Sequence, residues 1–327
     1  MSYSTVLKIF ARSVRDGVEL DASAAEQLFG ALLDGGVPEL EMGAILMAIR
    51  MRGESDRELF GFLQAVEKRQ YLLRWPVGGV RPVVIPSYYG TRHQLNLTPL
   101  LVLLLVKFGV PVLMHGSLEG QGRVATAYVL RELGVMPCAN LAHANSALAN
   151  DGLAFVPTAL ISPGLAHLLS LRHRLGVRNS AHTLVKLIAP FKGDALRIIS
   201  MRTHEQLSSM LQFVQDAGLR ALLLRGTEGE VFANSQRRPA LWYSEHGATQ
   251  LLFDAEIGAD KSLSGLPSAL DAAGTAKWVK DALIGKHAVP LPLINQIACC
   301  LYGSGYTHDM NQAKAIVAME VGGLVAN

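Results

Sequence analysis

The stretch VVIPSYYGTRHQLNLTPLLVLLLVKFGVPVLMHG, residues 83–116, decides how the rest of the chain is read. Val83 to Ile85 is a short apolar run of strand character. Pro99 to Phe108 is an apolar run of helical length opened by proline, and Val110 to Met114 is a second strand run. A strand, a helix and a strand in close succession make a parallel βαβ unit. The alternation continues downstream: Val124 to Leu133 reads as a helix closed by Gly134, Leu153 to Val156 and Leu196 to Ser200 as strands, Leu207 to Ala217 as a helix and Ala221 to Leu224 as a strand. The pattern predicts an α/β fold with a mostly parallel, doubly wound, helix-flanked sheet. Ligands of such sheets sit beyond the carboxyl ends of the strands.

Upstream the apolar period is helical. Ser4 to Val14 opens one helix. Asp21-Ala-Ser23 caps a second, with Leu28, Phe29, Leu32 and Leu33 at helical spacing. Gly35-Gly36 ends it and Pro38 starts a third, striped by Met42, Ile45, Leu46 and Ile49; Ser55 and Glu58 have the spacing of a capping box before Leu59 to Val66. The Pro/Gly-rich segment from Trp75 to Pro82 is a boundary. The chain therefore divides into a small all-helical domain, 1–74, and a larger α/β domain, 75–327. A helical segment returns near 163–186, from Ser162-Pro163 to about Leu175 and again from Ser180 to Ile188.

Half of the 327 residues are apolar and 17% are charged, which favours a packed core over disorder. Met1 to Arg15 lacks the apolar centre of a signal peptide, and Leu95 to Val106 is too short to cross a bilayer, so a cytoplasmic protein without a membrane partner is expected. Cys138, Cys299 and Cys300 have neither disulfide nor zinc spacing and read as buried small hydrophobes; His173, His182 and His204 are not at metal-ligand spacing. No metal or other cofactor is expected. Net charge is +3 overall, but residues 165–240 hold eleven Lys/Arg against five Asp/Glu. That basic middle segment points to an anionic partner.

The loops after the first two strands are the places for chemistry: Pro86 to Thr98, and His115-Gly116 to Arg123. Small residues and a cation before a helix make an anion site, although a plain packing turn has the same composition. Taken in order, Asn96-Leu-Thr98, His115-Gly116, Leu153 to Pro157, Ser162-Pro163 and Leu171 to Arg178 resemble segments of the anthranilate phosphoribosyltransferases, glycosyltransferase family 3, over nearly the whole chain. The resemblance implies a nucleoside phosphorylase/phosphoribosyltransferase-like fold and a phosphoribosyl pocket lined by Gly90, Asn96, Thr98, His115 and Gly116. Two departures stand out. The family's Gly-Thr-Gly-Gly-Asp pyrophosphate loop is Pro86-Ser-Tyr-Tyr-Gly90 here, and Val231-Phe232 stand where its magnesium-holding Asp-Glu pair falls. Tyrosines and a proline are expected to keep the backbone from the pyrophosphate, and apolar side chains cannot hold magnesium. Glu228 and Glu230 lie beside the gap in what reads as a turn.

The cations remain. Arg92, Arg123, Arg172, Arg174, Arg178, Lys186, Lys192, Arg225, Arg237 and Arg238 are the candidate nucleic-acid contacts, with Arg174 and Arg178 on one helix face. Singly, each also fits an ordinary solvated surface. The pattern resembles the YbiB-like branch of the family, which implies a non-catalytic homodimer that binds DNA or RNA without sequence preference. The dimer contact would come from N-terminal helix faces including Leu28, Leu32, Met42 and Leu46, which suit a core role equally. Tyr88, Tyr89 and His93 are available for base stacking or for internal packing. The alternatives are a divergent phosphoribosyl- or glycosyltransferase, which alone would call for magnesium, and a scaffold for a small acidic metabolite.

Overall fold

A computed structural model describes residues 19–322, except 77, 121, 257–264 and 268; the helix expected from Ser4 to Val14 lies outside the described residues. The chain forms two compact units, residues 1–72 with 158–190, and residues 73–157 with 191–327.

The first unit is helical. Asp21 caps the helix Ala22–Leu33 by accepting from Ala24 N at 2.8 Å. Ser55 and Glu58 form the capping box of the helix Asp56–Glu67. The fully buried Glu58 carboxylate also accepts from Leu20 N at 3.0 Å and pairs with Arg52, so one acid ties three segments together. Phe29 stacks on Phe62 at 4.6 Å, and Gly61 lets the two helices meet, since a Cβ there would lie 2.3 Å from Ala22 O. Leu28, Leu32, Met42 and Leu46 are all buried in this unit's own core. They therefore form no exposed patch, and the large exposed apolar side chains of the helix Glu39–Arg52 are Leu40 and Met51. The returning segment is more broken than its period predicts: Pro163–Ser170, Arg172–Leu175 and Ala181–Leu184 are separate helices.

The second unit is built on an eight-stranded sheet: β1 Val83–Ser87, β2 Val112–Gly116, β3 Leu153–Pro157, β4 Leu196–Met201, β5 Ala221–Thr227, β6 Glu230–Ala233, β7 Leu241–Glu245 and β8 Ala248–Phe253. The strand order is β3-β2-β1-β4-β5-β7-β8, with β6 paired to β5. Neighbours from β3 to β5 are parallel, as the sequence predicts; β6, β7 and β8 add an antiparallel extension that the apolar pattern does not announce. Every residue of β1, β2 and β4 is buried, which is why these strands read as continuous apolar runs. The helix Thr98–Lys107, with Pro99 in its first turn, is a core helix. Among the described residues, no helix is long and apolar enough to cross a membrane. Cys299 and Cys300 are fully buried in the helix Leu291–Ser304, and burial pushes both thiols up. From the same helix Gln296 serves β6, accepting from Ala233 N at 2.7 Å and donating to Val231 O at 2.8 Å.

Candidate functional site

The carboxyl ends of β1 to β5 share one edge of the sheet, and the strand order reverses between β1 and β4. Such a reversal opens a crevice above the sheet. Here it lies under the hairpin that joins β5 to β6. Thr227 pairs with Glu230 across a two-residue turn, in which Glu228 has φ 54° and Gly229 has φ 101°. Two positive φ angles give the primed turn that suits twisted strands, but a left-handed glutamate costs about 1 kcal/mol. The hairpin is held from β4 by Ser200 Oγ, which donates to Gly229 O at 3.2 Å.

The two glutamates of this hairpin gather donors from the loops leaving β1 and β2. Glu230 is fully buried. Its Oε1 accepts from Tyr89 N at 3.0 Å and Gly90 N at 2.7 Å, and its Oε2 lies 2.8 Å from Ser87 Oγ, 3.2 Å from Thr126 Oγ1 and 3.3 Å from Thr98 Oγ1. Glu228 accepts from Arg92 N at 2.9 Å, His93 N at 2.9 Å and Gln94 N at 3.0 Å, and pairs with Arg123 at 3.3 Å. Successive backbone N–H groups converging on one negative charge are an anion nest. This loop makes two, both filled by the chain's own carboxylates.

The tyrosine side chains do not stand between the loop amides and Glu230. Tyr88 hydrogen-bonds His115 Nδ1 through its hydroxyl at 2.8 Å, and the Tyr89 ring packs over Gly229, so neither side chain displaces the loop amides. Both aromatics serve internal packing; His93 is exposed. Gly90 has φ 65°, and a Cβ there would sit 2.5 Å from Val124 O; at Gly116 it would sit 1.9 Å from Ser87 O. Asn96 braces the loop, donating to Val124 O and Thr126 Oγ1 and accepting from Thr98 N. His115 is fully buried, which pushes its pKa down to about 3, and its Nε2 has no hydrogen-bond partner. The five pocket residues named from the resemblance thus meet around one cradle. Ser87 and Thr126, which the sequence reading did not single out, complete it; only Ser87's place inside the glycine-loop segment hinted at this.

Val231 and Phe232, which the resemblance sets at the family's magnesium positions, are buried in the hydrophobic core. Glu228 and Glu230 do not replace that pair. Their oxygens face N–H and O–H hydrogens, which attract anions and repel a cation. The residues present do not fit magnesium, and no metal-holding group of three or more acidic, His or Cys side chains occurs among the described residues.

The candidate cations fall into separate groups. In the second unit, Arg92 and Arg123 follow β1 and β2, Arg225 lies near the end of β5, and Arg237 and Arg238 precede β7, whose Leu241 faces Leu224. All five belong to the carboxyl edge. Arg202, which the sequence reading passed over, joins them: it is exposed after β4, its carbonyl accepts from Arg225 Nε at 3.4 Å, and Arg225 Nη1 lies 2.8 Å from His204 Nε2. Arg238 is paired with Glu256. Lys192 stands apart, exposed before the amino end of β4. Arg172, Arg174, Arg178 and Lys186 belong to the first unit. There Arg174 is bidentate on Glu39, at 3.2 and 2.9 Å. The shared helix face assigned to Arg174 and Arg178 is not formed, because Gly176 at φ 72° ends the helix between them.

Comparison with known proteins follows the fold. Residues 9–69 match the helical bundle domain of the glycosyl transferase family. The YbiB protein of Escherichia coli is 40% identical over 318 residues, covering 97% of this chain and 99% of its own. The anthranilate phosphoribosyltransferase of Idiomarina loihiensis is 26% identical, over 93% of this chain and 91% of its own. Among solved structures, anthranilate phosphoribosyltransferase from Thermus thermophilus superposes with a TM-score of 0.76 at 20% identity, covering 97% of this chain and 96% of that one. The Saccharomyces cerevisiae enzyme in complex with PRPP and Mg gives 0.74 at 14% identity, covering 99% and 95%. With 40% identity held over almost the full length of both chains, this protein belongs to the YbiB family, homologous to the anthranilate phosphoribosyltransferases of glycosyltransferase family 3.

Proposed function

We propose that this protein is a non-catalytic member of its fold that binds nucleic acid through phosphate contacts, without sequence preference. The observation that carries the reading is the exposure of arginines at the carboxyl edge, beside two acids that are turned inward. Glu228 and Glu230 are turned onto backbone and hydroxyl donors, while Arg92, Arg202 and Arg237 are exposed along the same edge. Arginine side chains exposed along one edge can meet a phosphate backbone regardless of base sequence. Loss of the family reaction is part of the same reading. Pyrophosphate departure needs electrostatic stabilisation, and the donors suited to it already hold glutamates. The resemblance also implies a homodimer, for which Leu40 and Met51 are the available apolar side chains of the helix Glu39–Arg52.

Fluorescent oligonucleotides titrated at rising salt test the reading. We expect log Kd to rise linearly with log salt and to differ little among sequences of equal length. No binding at low salt, or binding insensitive to salt, rejects it.

One observation favours the alternative of a divergent transferase: the cradle of Ser87, Tyr89 N, Gly90 N, Thr98 and Thr126 is intact. Calorimetry with phosphoribosyl pyrophosphate, with and without magnesium, decides; tight binding by the native protein restores the enzyme.

A further inference from the structure

We propose a base-stacking subsite in the second unit, away from the carboxyl edge: the Trp75 indole takes one unpaired nucleobase of a single strand, and Arg74 and Lys192 take phosphates beside it. The proposal rests on the nucleic-acid reading and adds to it a site that distinguishes an unpaired base from a paired one. A pocket of about 570 Å³ opens beside Trp75, with Arg74, Asn145, Ser146 and Asn150 among its walls. It belongs to the amino-end side of the sheet, since Trp75 precedes β1, Asn150 precedes β3 and Lys192 precedes β4. Lys192 is the cation of the second unit that the carboxyl edge leaves out.

Three observations argue for a nucleotide as the occupant. The indole is held yet open: it meets Phe191 edge to face at 5.8 Å, and its benzo ring lies against Gly193, where a Cβ would come within 2.3 Å of Cζ3, but 37% of Trp75 stays exposed. A ring already fixed by packing loses little freedom when a base stacks on it. The charge is complementary as well. Arg74 and Lys192 are exposed next to Trp75 and Gly193, no acid lines the pocket, and Asp194 is drawn away by Arg220 Nε at 2.7 Å. Cations interleaved with an aromatic ring are what a strand of phosphates and bases meets. The polar groups complete the match. Arg74 N donates to Asn145 Oδ1 at 2.8 Å, so Asn145 offers its Nδ2 hydrogens, while Ser146 Oγ, donating to Ala142 O at 3.1 Å, offers its lone pairs. A donor and an acceptor one residue apart suit the polar edge of a base without its complement, and in a duplex that edge is occupied.

The test uses the full chain with oligothymidylate and with a mixed-sequence duplex of the same length. Trp75, Trp242 and Trp278 are the chain's tryptophans, so Trp75 emission is the difference between the native protein and Trp75→Leu. The single strand is expected to quench that emission and the duplex to leave it unchanged. Trp75→Leu should weaken single-strand binding roughly tenfold at an unaltered salt slope and leave duplex binding as it was. Lys192→Glu should instead reduce the single-strand salt slope by about 1. Trp75→Phe keeps a ring against Gly193 and should recover most of the affinity; it supplies the emission difference if Trp75→Leu does not fold. A single strand that binds without quenching Trp75 overturns the inference, as does an equal loss for strand and duplex. Adenosine monophosphate binding as tightly as the strand would give the pocket to a free nucleotide, and emission that changes with protein concentration alone would give it to a second copy; either overturns it too. Binding without Trp75 sinks this site only, whereas no binding of strand or duplex sinks the nucleic-acid reading with it.

Discussion

The Glu230 carboxylate accepts the backbone N–H of Gly90 at 2.7 Å, joining residues 140 apart in sequence at the centre of the sheet's carboxyl edge. Five donors converge on that one buried acid, so its removal leaves several polar groups without an acceptor. Glu230→Ala should lower the unfolding free energy by about 3–5 kcal/mol in urea titration, whereas the partly exposed Glu228→Ala should cost roughly 1–2 kcal/mol. Equal losses at the two positions would refute the distinction between a buried and a partly exposed carboxylate.

Gly90 and Gly116 set the shape of the cradle. Gly90→Ala adds a methyl group 2.5 Å from Val124 O at φ 65°, and should cost roughly 2–4 kcal/mol. Gly134, also at positive φ but with open space around its Cα, should lose only about 1 kcal/mol as Gly134→Ala. Comparing the two variants by chemical denaturation separates backbone strain from steric overlap.

Arg220 is a buried cation held from three sides. It donates to Asp194 at 2.7 Å and bonds Tyr243 and Glu245, both on β7. Burial, as the largest cause, pushes the Tyr243 hydroxyl well above the usual phenol range. Arg220→Met removes the cation and strands its partners, so a loss of about 3–5 kcal/mol is expected by urea denaturation. A near-neutral result would mean that the network is dispensable to β5 and β7.

Two buried histidines give the fold an acid-side weakness. His115 is lowered to about 3 and His182 to about 4, each first by burial and His182 next by Arg178. The folded protein keeps both neutral, while the unfolded chain takes up a proton at each below the ordinary pKa of 6.5. Their contribution is complete above that pH and falls away as pH drops toward 4 and then 3. Between about pH 7 and pH 5 each should cost roughly 2 kcal/mol. Urea unfolding of His115→Gln over this range should show a shallower pH slope than the native protein; an unchanged slope would clear His115 of the effect.

Nucleic-acid contact at the carboxyl edge predicts a uniform loss. Arg92→Glu, Arg202→Glu and Arg225→Glu should each weaken oligonucleotides of every sequence alike and reduce the salt slope by about 1. In the first unit, reversal of Arg174 and Arg178 to Glu tests the same point. A loss confined to one sequence would indicate base reading.

The sequence by itself determined the local and repetitive features. Fully buried parallel strands must be apolar throughout, so Val83 to Ile85 and Leu196 to Ser200 could be read directly, as could the Asp21 cap and the Ser55/Glu58 box, whose partners lie within four residues. The antiparallel β6 to β8 escaped because their pairing is set by β5, directly for β6 and β7 and through β7 for β8, and not by their own alternation. Only the tertiary structure decided the site. Ser87, Thr126, Glu228 and Glu230 are ordinary residues in their own segments, and nothing local marks two glutamates in a turn as ligands of a distant loop. The loop also read as closed to a pyrophosphate, because its side chains are large. Its donors are backbone N–H groups, which every residue but proline carries, and where they point is fixed by φ, ψ and the packing of the sheet edge.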